Sequence, residues 1–139
     1  MSAKDLFHNT VLEALKKDGW IISHDPFTIN YGGRETFVDI GAERTTIGVV
    51  KSYLKRAVEV KSFLSTSAIT DLHRALGQYV LYEVLLEELD PERQVYLAIS
   101  SEVFEGIFSE PIGQLLLERR SLRLLIFDID QASIVRWIN

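Results

Sequence analysis

Apolar residues recur at helical spacing near the start of the chain, where Leu6, Val11, Leu12 and Leu15 alternate with polar positions. Gly19 follows where a helix C-terminal cap belongs, so the pattern predicts a helix that stops there. Residues 20–23 and 27–31 read as short strands, parted by the turn-forming pair Asp25-Pro26. Gly32-Gly33 marks a tight turn, and 36–40 reads as another strand. Residues 41–50 contain Gly and Thr and are ambiguous, whereas 57–63 alternates as a strand does.

The strongest helical pattern covers 69–89, with Ser and Thr before it and Asp90-Pro91 after it. Residues 94–99 form an apolar run that predicts a buried strand. Ser101, with Glu102 in the first turn, predicts the cap of a short helix reaching 108. Pro111 suits the first position of a further helix to 119. Strands are expected over 122–127 and 134–138. The order is helix, strands, long helix, strand, helices, strands. It predicts an α/β fold with a mixed sheet flanked by helices. The absence of repeats, low-complexity segments and linkers predicts a single domain over 1–139.

Composition narrows the chemistry. The 139 residues are 47% hydrophobic and 25% charged, ordinary for a globular domain with one core. There is no cysteine, so disulfides and thiolate metal sites are excluded, while a hard cation on oxygen ligands is not. No apolar run has the length of a membrane span and residues 1–5 lack a signal-peptide pattern, which makes the cytoplasm the expected location. The net charge of −5 argues mildly against a sequence-independent nucleic-acid coat. Its distribution is uneven. Residues 44–61 carry Arg44, Lys51, Lys55, Arg56 and Lys61 with Glu59 as the sole acid; 87–118 carries eight acids with Arg93 as the sole base. These are two solvated surfaces, or a phosphate-facing side and a protein-facing side.

Two strands hold groups that strands usually avoid. In Val58-Glu59-Val60-Lys61, Glu59 and Lys61 share one face and the valines the other. Asp39 sits in the apolar segment Phe37-Val38-Asp39-Ile40, where aspartate is a poor strand former. Adjacent strands would bring Asp39 and Glu59 within reach of one Mg²⁺ or Mn²⁺, with the Val60 carbonyl as a further ligand. Such a cation suits phosphodiester hydrolysis, with Lys61 orienting or deprotonating the attacking water. The plainer alternative is an edge strand with a Glu–Lys pair in solvent. On the long helix, Arg74, Gln78 and Tyr82 follow at four-residue spacing. They form either a polar ridge over the site or the outward side of an amphipathic helix.

Taken in order, Asp39, Glu59-Val60-Lys61 and Gln78 through Tyr82 resemble the D…(D/E)XK…QxxxY arrangement of PD-(D/E)XK nucleases, notably their RecB-like branch. The whole chain further resembles XisH, the fdxN-element excision controlling factor family of cyanobacteria. The matching segments are 3–8, Gly19-Trp20, 28–39, 57–63, 75–79, 96–99 and Arg136-Trp137-Ile138. The resemblance implies a restriction-endonuclease-like fold and a part in programmed excision of a DNA element during heterocyst development. It also implies two protein partners, the small companion XisI and a site-specific recombinase.

Many nucleases of that superfamily place a glutamate on the first helix. Here His8 stands near that position, between Asp5 and Glu13. His8 binds a metal or phosphate, or is a helix-surface histidine. Arg34, Lys51, Lys55, Arg56 and Arg74 are candidate DNA contacts, although Arg34 also suits an exposed turn. Three roles are therefore expected in turn: a metal-dependent endonuclease, a non-catalytic DNA- or protein-binding regulator, and a protein scaffold. A homodimer is compatible with each.

Overall fold

A computed structural model describes residues 5–46, 52–120 and 122–139. Helix α1 (His8–Lys17) buries Val11, Ala14 and Leu15. It ends as predicted: Gly19, at φ +91°, donates to the Lys16 carbonyl and Trp20 donates to that of Leu15. The chain then forms β1 (Ile21–His24), β2 (Phe27–Tyr31), β3 (Arg34–Val38), β4 (Ile40–Thr46) and β5 (Ser52–Val60). Both glycines of the β2–β3 turn have positive φ, the conformation that a two-residue hairpin turn demands. The long helix α2 (Ala68–Leu89) is capped by the Ser67 side chain, which accepts from the Thr70 amide. Then follow β6 (Arg93–Ser100), α3 (Ser101–Glu105), a single 3₁₀ turn (Ile107–Ser109), α4 (Pro111–Arg120), β7 (Leu124–Asp128) and β8 (Ser133–Ile138).

Six strands form one sheet in the order β1-β4-β5-β6-β7-β8, and β2 and β3 pair separately. The β5–β6 and β6–β7 pairs are parallel and the rest antiparallel, so the sheet is mixed as expected. Alternate residues of β6 feed two cores. Val95, Leu97 and Ile99 pack with Leu72, Tyr79 and Leu86 of α2. Tyr96 and Ala98 pack on the other face with Val11 and Leu15 of α1.

Several boundaries differ from the sequence reading. The expected strand over 36–40 breaks at Asp39, because β3 pairs with β2 while β4 enters the main sheet. The ambiguous 41–50 contains most of β4, through Thr46; 47–50 lie outside the described residues. The strand expected over 57–63 starts earlier and ends at Val60, although the Lys61 amide still donates to the Ala98 carbonyl at 3.1 Å. Ser100, not Ser101, caps α3 by accepting from the Val103 amide, and α3 ends at Glu105 before the 3₁₀ turn.

Candidate functional site

The chain changes sheets at Asp39, and that change creates the site. β4 and β5 run antiparallel with Ile40 opposite Val58, which sets Asp39 beside Glu59. The Asp39 amide donates to Glu59 Oε1 at 3.2 Å. Asp39 Oδ2 accepts from the Val60 amide at 2.8 Å. Val58 and Val60 point into the α1-side core, as alternation predicted, so Glu59 points to the opposite face, where it is only 4% exposed. Lys61 Nζ lies 3.4 Å from Glu59 Oε2.

Burial pushes the Glu59 carboxyl up to about 8, the Asp39 carboxylate adds to the rise and Lys61 opposes it. Tyr82 lies on the other side. Burial raises its hydroxyl to about 12, with Glu59 contributing, while a hydrogen bond with Thr36 acts in the opposite direction.

These groups line a cleft of about 1010 Å³. Its walls come from Asp5 and His8 at the start of α1, Asp25-Pro26 before β2, Glu35 to Phe37 on β3, Asp39, Glu59 to Lys61, and Gln78 and Tyr82 on α2. Asp5 ties two walls together, since its Oδ2 accepts from the Ser62 amide at 2.9 Å. Two buried wall atoms, His8 Nδ1 and Gln78 Oε1, have no hydrogen-bond partner among the described residues. A buried polar atom without a partner is costly, and a polar ligand or bound water removes that cost.

The sequence-based site residues separate into two groups. Asp39, Glu59, Val60, Lys61, Gln78, Tyr82 and His8 meet in the cleft. The proposed ridge divides: Tyr82 is buried, Gln78 half-buried, and Arg74 exposed and not part of the cleft wall. His8 is not a surface histidine. It is 3% exposed and its Nε2 lies 2.7 Å from Asp25 Oδ1. Asp25 and Thr36 escaped sequence reasoning, because a residue before proline reads only as a turn and a strand threonine reads only as a strand.

The candidate DNA contacts are also dispersed. Arg34 is exposed at the β2–β3 turn. Lys55 Nζ bonds Asp90 at 2.6 Å. The Arg56 guanidinium lies over the rings of Trp20, Tyr96 and Trp137, 4.6, 4.5 and 4.3 Å from their centroids. That stack sits on the α1 side of the sheet, away from the cleft. Lys51 lies outside the described residues.

The donor set suits a hard cation. Among the described residues, no three His, Asp or Glu side chains converge as a ready-made cage. The Asp39–Glu59 pair instead offers carboxylate oxygens to an ion that takes its other ligands from main chain, water and phosphate, as Mg²⁺ commonly does. A cation there would also favour the charged form that burial, and after it the Asp39 carboxylate, disfavours in Glu59.

No curated protein matches the chain. Two solved structures are similar along nearly its whole length. An XisH family protein from Nostoc punctiforme PCC 73102 is 40% identical, with a TM-score of 0.85 over 97% of this chain and 100% of the other. A fdxN element excision controlling factor protein from Anabaena variabilis is 39% identical, with a TM-score of 0.87 over 98% and 100%. The family model described as XisH protein matches residues 1–135, and the chain belongs to the XisH family.

Proposed function

We propose that this chain controls excision of a DNA element and does so with a metal-dependent phosphodiester-cleaving site of the PD-(D/E)XK type. The excision role follows from its likeness to the Anabaena variabilis excision controlling factor. The observation that carries the nuclease reading is the pairing of Asp39 and Glu59 beside Lys61 in a cleft wall. A structural role does not call for two carboxylates and an ammonium gathered at one strand end.

In this reading Asp39, Glu59 and the Val60 carbonyl would hold Mg²⁺ or Mn²⁺, which would supply Lewis acidity toward the phosphodiester and toward water. Lys61, beside Glu59 in the cleft wall, would orient the attacking water and balance charge developing on the phosphate. Gln78 Oε1, free of a protein donor, accepts a hydrogen bond from the same water or the substrate. Tyr82 remains a neutral hydroxyl at physiological pH and acts as a donor. DNA, the companion XisI and a recombinase are the expected partners, and the cytoplasm the expected compartment. Among the described residues no helix is long and apolar enough to cross a membrane.

Cleavage of supercoiled and linear DNA, assayed with Mg²⁺ and Mn²⁺, tests the assignment. Glu59→Ala should abolish metal-dependent cutting and Lys61→Met should slow it by about a hundredfold or more. Cutting by Glu59→Ala at the wild-type rate would sink it.

A second reading, a non-catalytic regulator on the same fold, draws on the charge of the cleft. Asp5, Asp25, Glu35, Asp39 and Glu59 line it, and among the described residues Lys61 is the one lysine or arginine that does. Without a cation such a wall repels phosphate. Under this reading wild-type protein cuts nothing with either metal, and any DNA affinity comes from exposed cations such as Arg34, with steep salt dependence.

A further inference from the structure

Helix α2 has a second face that the cleft does not use. Leu72, Ala75, Tyr79, Tyr82 and Leu86 point into the molecule. On the opposite side Gly77, Leu81 and Val84 follow at helical spacing, flanked by Val80. Val80 is 38% exposed, Leu81 49% and Val84 58%. The outward side of a surface helix is ordinarily polar, so an apolar stripe at its centre is unexpected. Gly77 adds to the anomaly. Glycine is, after proline, the least favourable residue inside a helix, yet a Cβ at Gly77 would meet nothing within 4 Å. Nothing among the described residues requires the gap that it leaves.

The charges at the ends of the stripe are ordered. His73 and Arg74 lie at its N-terminal end, Glu87 and Glu88 at its C-terminal end. All four are exposed, and among the described residues none makes a salt bridge. A parallel pairing of two such faces would set like charges together. An antiparallel pairing sets opposite charges together at both ends.

We propose that this face of α2 is an isologous dimer interface, occupied by the same face of a second copy running antiparallel. A twofold axis midway between Val80 and Leu81 places Val80 of one copy against Leu81 of the other. The same axis places Val84 opposite Gly77, so that the missing side chain receives the valine. It also places Arg74 opposite Glu87 and His73 opposite Glu88. Apolar centre, gap and charges are thus satisfied by one symmetry operation. That self-complementarity is what a closed twofold contact requires and what an unrelated partner would not impose. Gln78 and Tyr82, the α2 residues that line the cleft, are not among the paired positions. The interface stands apart from the nuclease reading and does not need it.

Sedimentation velocity on the full chain, run from low micromolar to near-millimolar concentration, tests the interface. A monomer–dimer equilibrium is expected, with Val84→Glu raising the dissociation constant by about tenfold or more. Arg74→Glu should weaken the dimer and Arg74→Glu with Glu87→Arg should restore it, because the swap preserves both cross-copy pairs. These positions are exposed, and circular dichroism of each variant verifies that the monomer folds. A chain that is monomeric at every concentration, a dimer indifferent to Val84→Glu, or a charge swap that fails to restore association would each overturn the proposal.

Discussion

Asp39 and Glu59 hold each other across the β4–β5 junction by reciprocal hydrogen bonds: the Asp39 amide donates to Glu59 Oε1, and the amide that follows Glu59 donates to Asp39 Oδ2. The Glu59 carboxyl is fixed by the Asp39 amide and the Asp39 carboxylate by the Val60 amide. Once Glu59 ionises, the two groups are therefore held together against their repulsion, which Lys61 at 3.4 Å only partly offsets.

This arrangement makes stability depend on pH. The Glu59 carboxyl stands at about 8 in the fold against an ordinary 4.5. Between those values the folded chain keeps a proton that the unfolded chain has released, so stability falls as pH rises through the window. Glu59→Gln retains the acceptor oxygen and removes the charge. Wild type and variant should melt together near about pH 4, and by about pH 9 the variant should be more stable by on the order of a few kcal/mol. Thermal melts across that range measure it; parallel curves for the two proteins would refute the account.

His8 and Asp25 form a coupled pair joining α1 to the β1–β2 connection, with 2.7 Å between Nε2 and Oδ1. Replacing His8 by Ala leaves a gap in a buried wall and should cost about 1–3 kcal/mol. In urea denaturation, His8→Ala and Asp25→Ala should be non-additive, with a coupling of about 1 kcal/mol or more. Additive losses would mean that the contact contributes nothing.

The first helix, its glycine stop, the hairpin turn, the long helix and the buried β6 were legible because each carries a local signature: helical period, positive-φ glycine, terminal cap or apolar run. The meeting of Asp39, Glu59 and Lys61 in one cleft was legible for a different reason, namely that all three violate the pattern around them. What escaped was set by distant contacts. His8 looks like any polar position on a helix until Asp25 is folded against it. Arg56 looks like a phosphate contact until Trp20 after α1, Tyr96 on β6 and Trp137 on β8 close over it. The break at Asp39 depends on which sheet each half of the segment joins, and a run of apolar residues does not encode that.

The aromatic stack gives a further test. Arg56 is partly buried among three rings, and Asp18 Oδ2 accepts from the indole nitrogens of Trp20 and Trp137 at 3.0 and 3.3 Å. Arg56→Met keeps much of the bulk but loses the cation, and should destabilise by about 1–3 kcal/mol with a shift in tryptophan emission. DNA affinity and its salt dependence should be unchanged. A shallower salt slope with full stability would instead return Arg56 to the phosphate-contacting set.

Close packing makes Gly113 a sharp structural test. A Cβ there would stand 2.2 Å from the Ile107 carbonyl oxygen and 2.5 Å from the Phe108 Cα, both main-chain atoms with little freedom to move. Gly113→Ala should cost about 1–3 kcal/mol in urea denaturation despite the better helix propensity of alanine. A neutral or stabilising effect would show that α4 does not lie this close to the 3₁₀ turn.

The measurement closest to the central claim is Mn²⁺ binding by titration calorimetry, made on the chain alone and with a short DNA duplex present. Binding is expected in the wild type, strengthening with pH as Glu59 ionises, with a loss of about tenfold or more in both Asp39→Asn and Glu59→Gln. Equal affinity in all three proteins, or no binding by the wild type even with DNA, would contradict a metal site built on this pair.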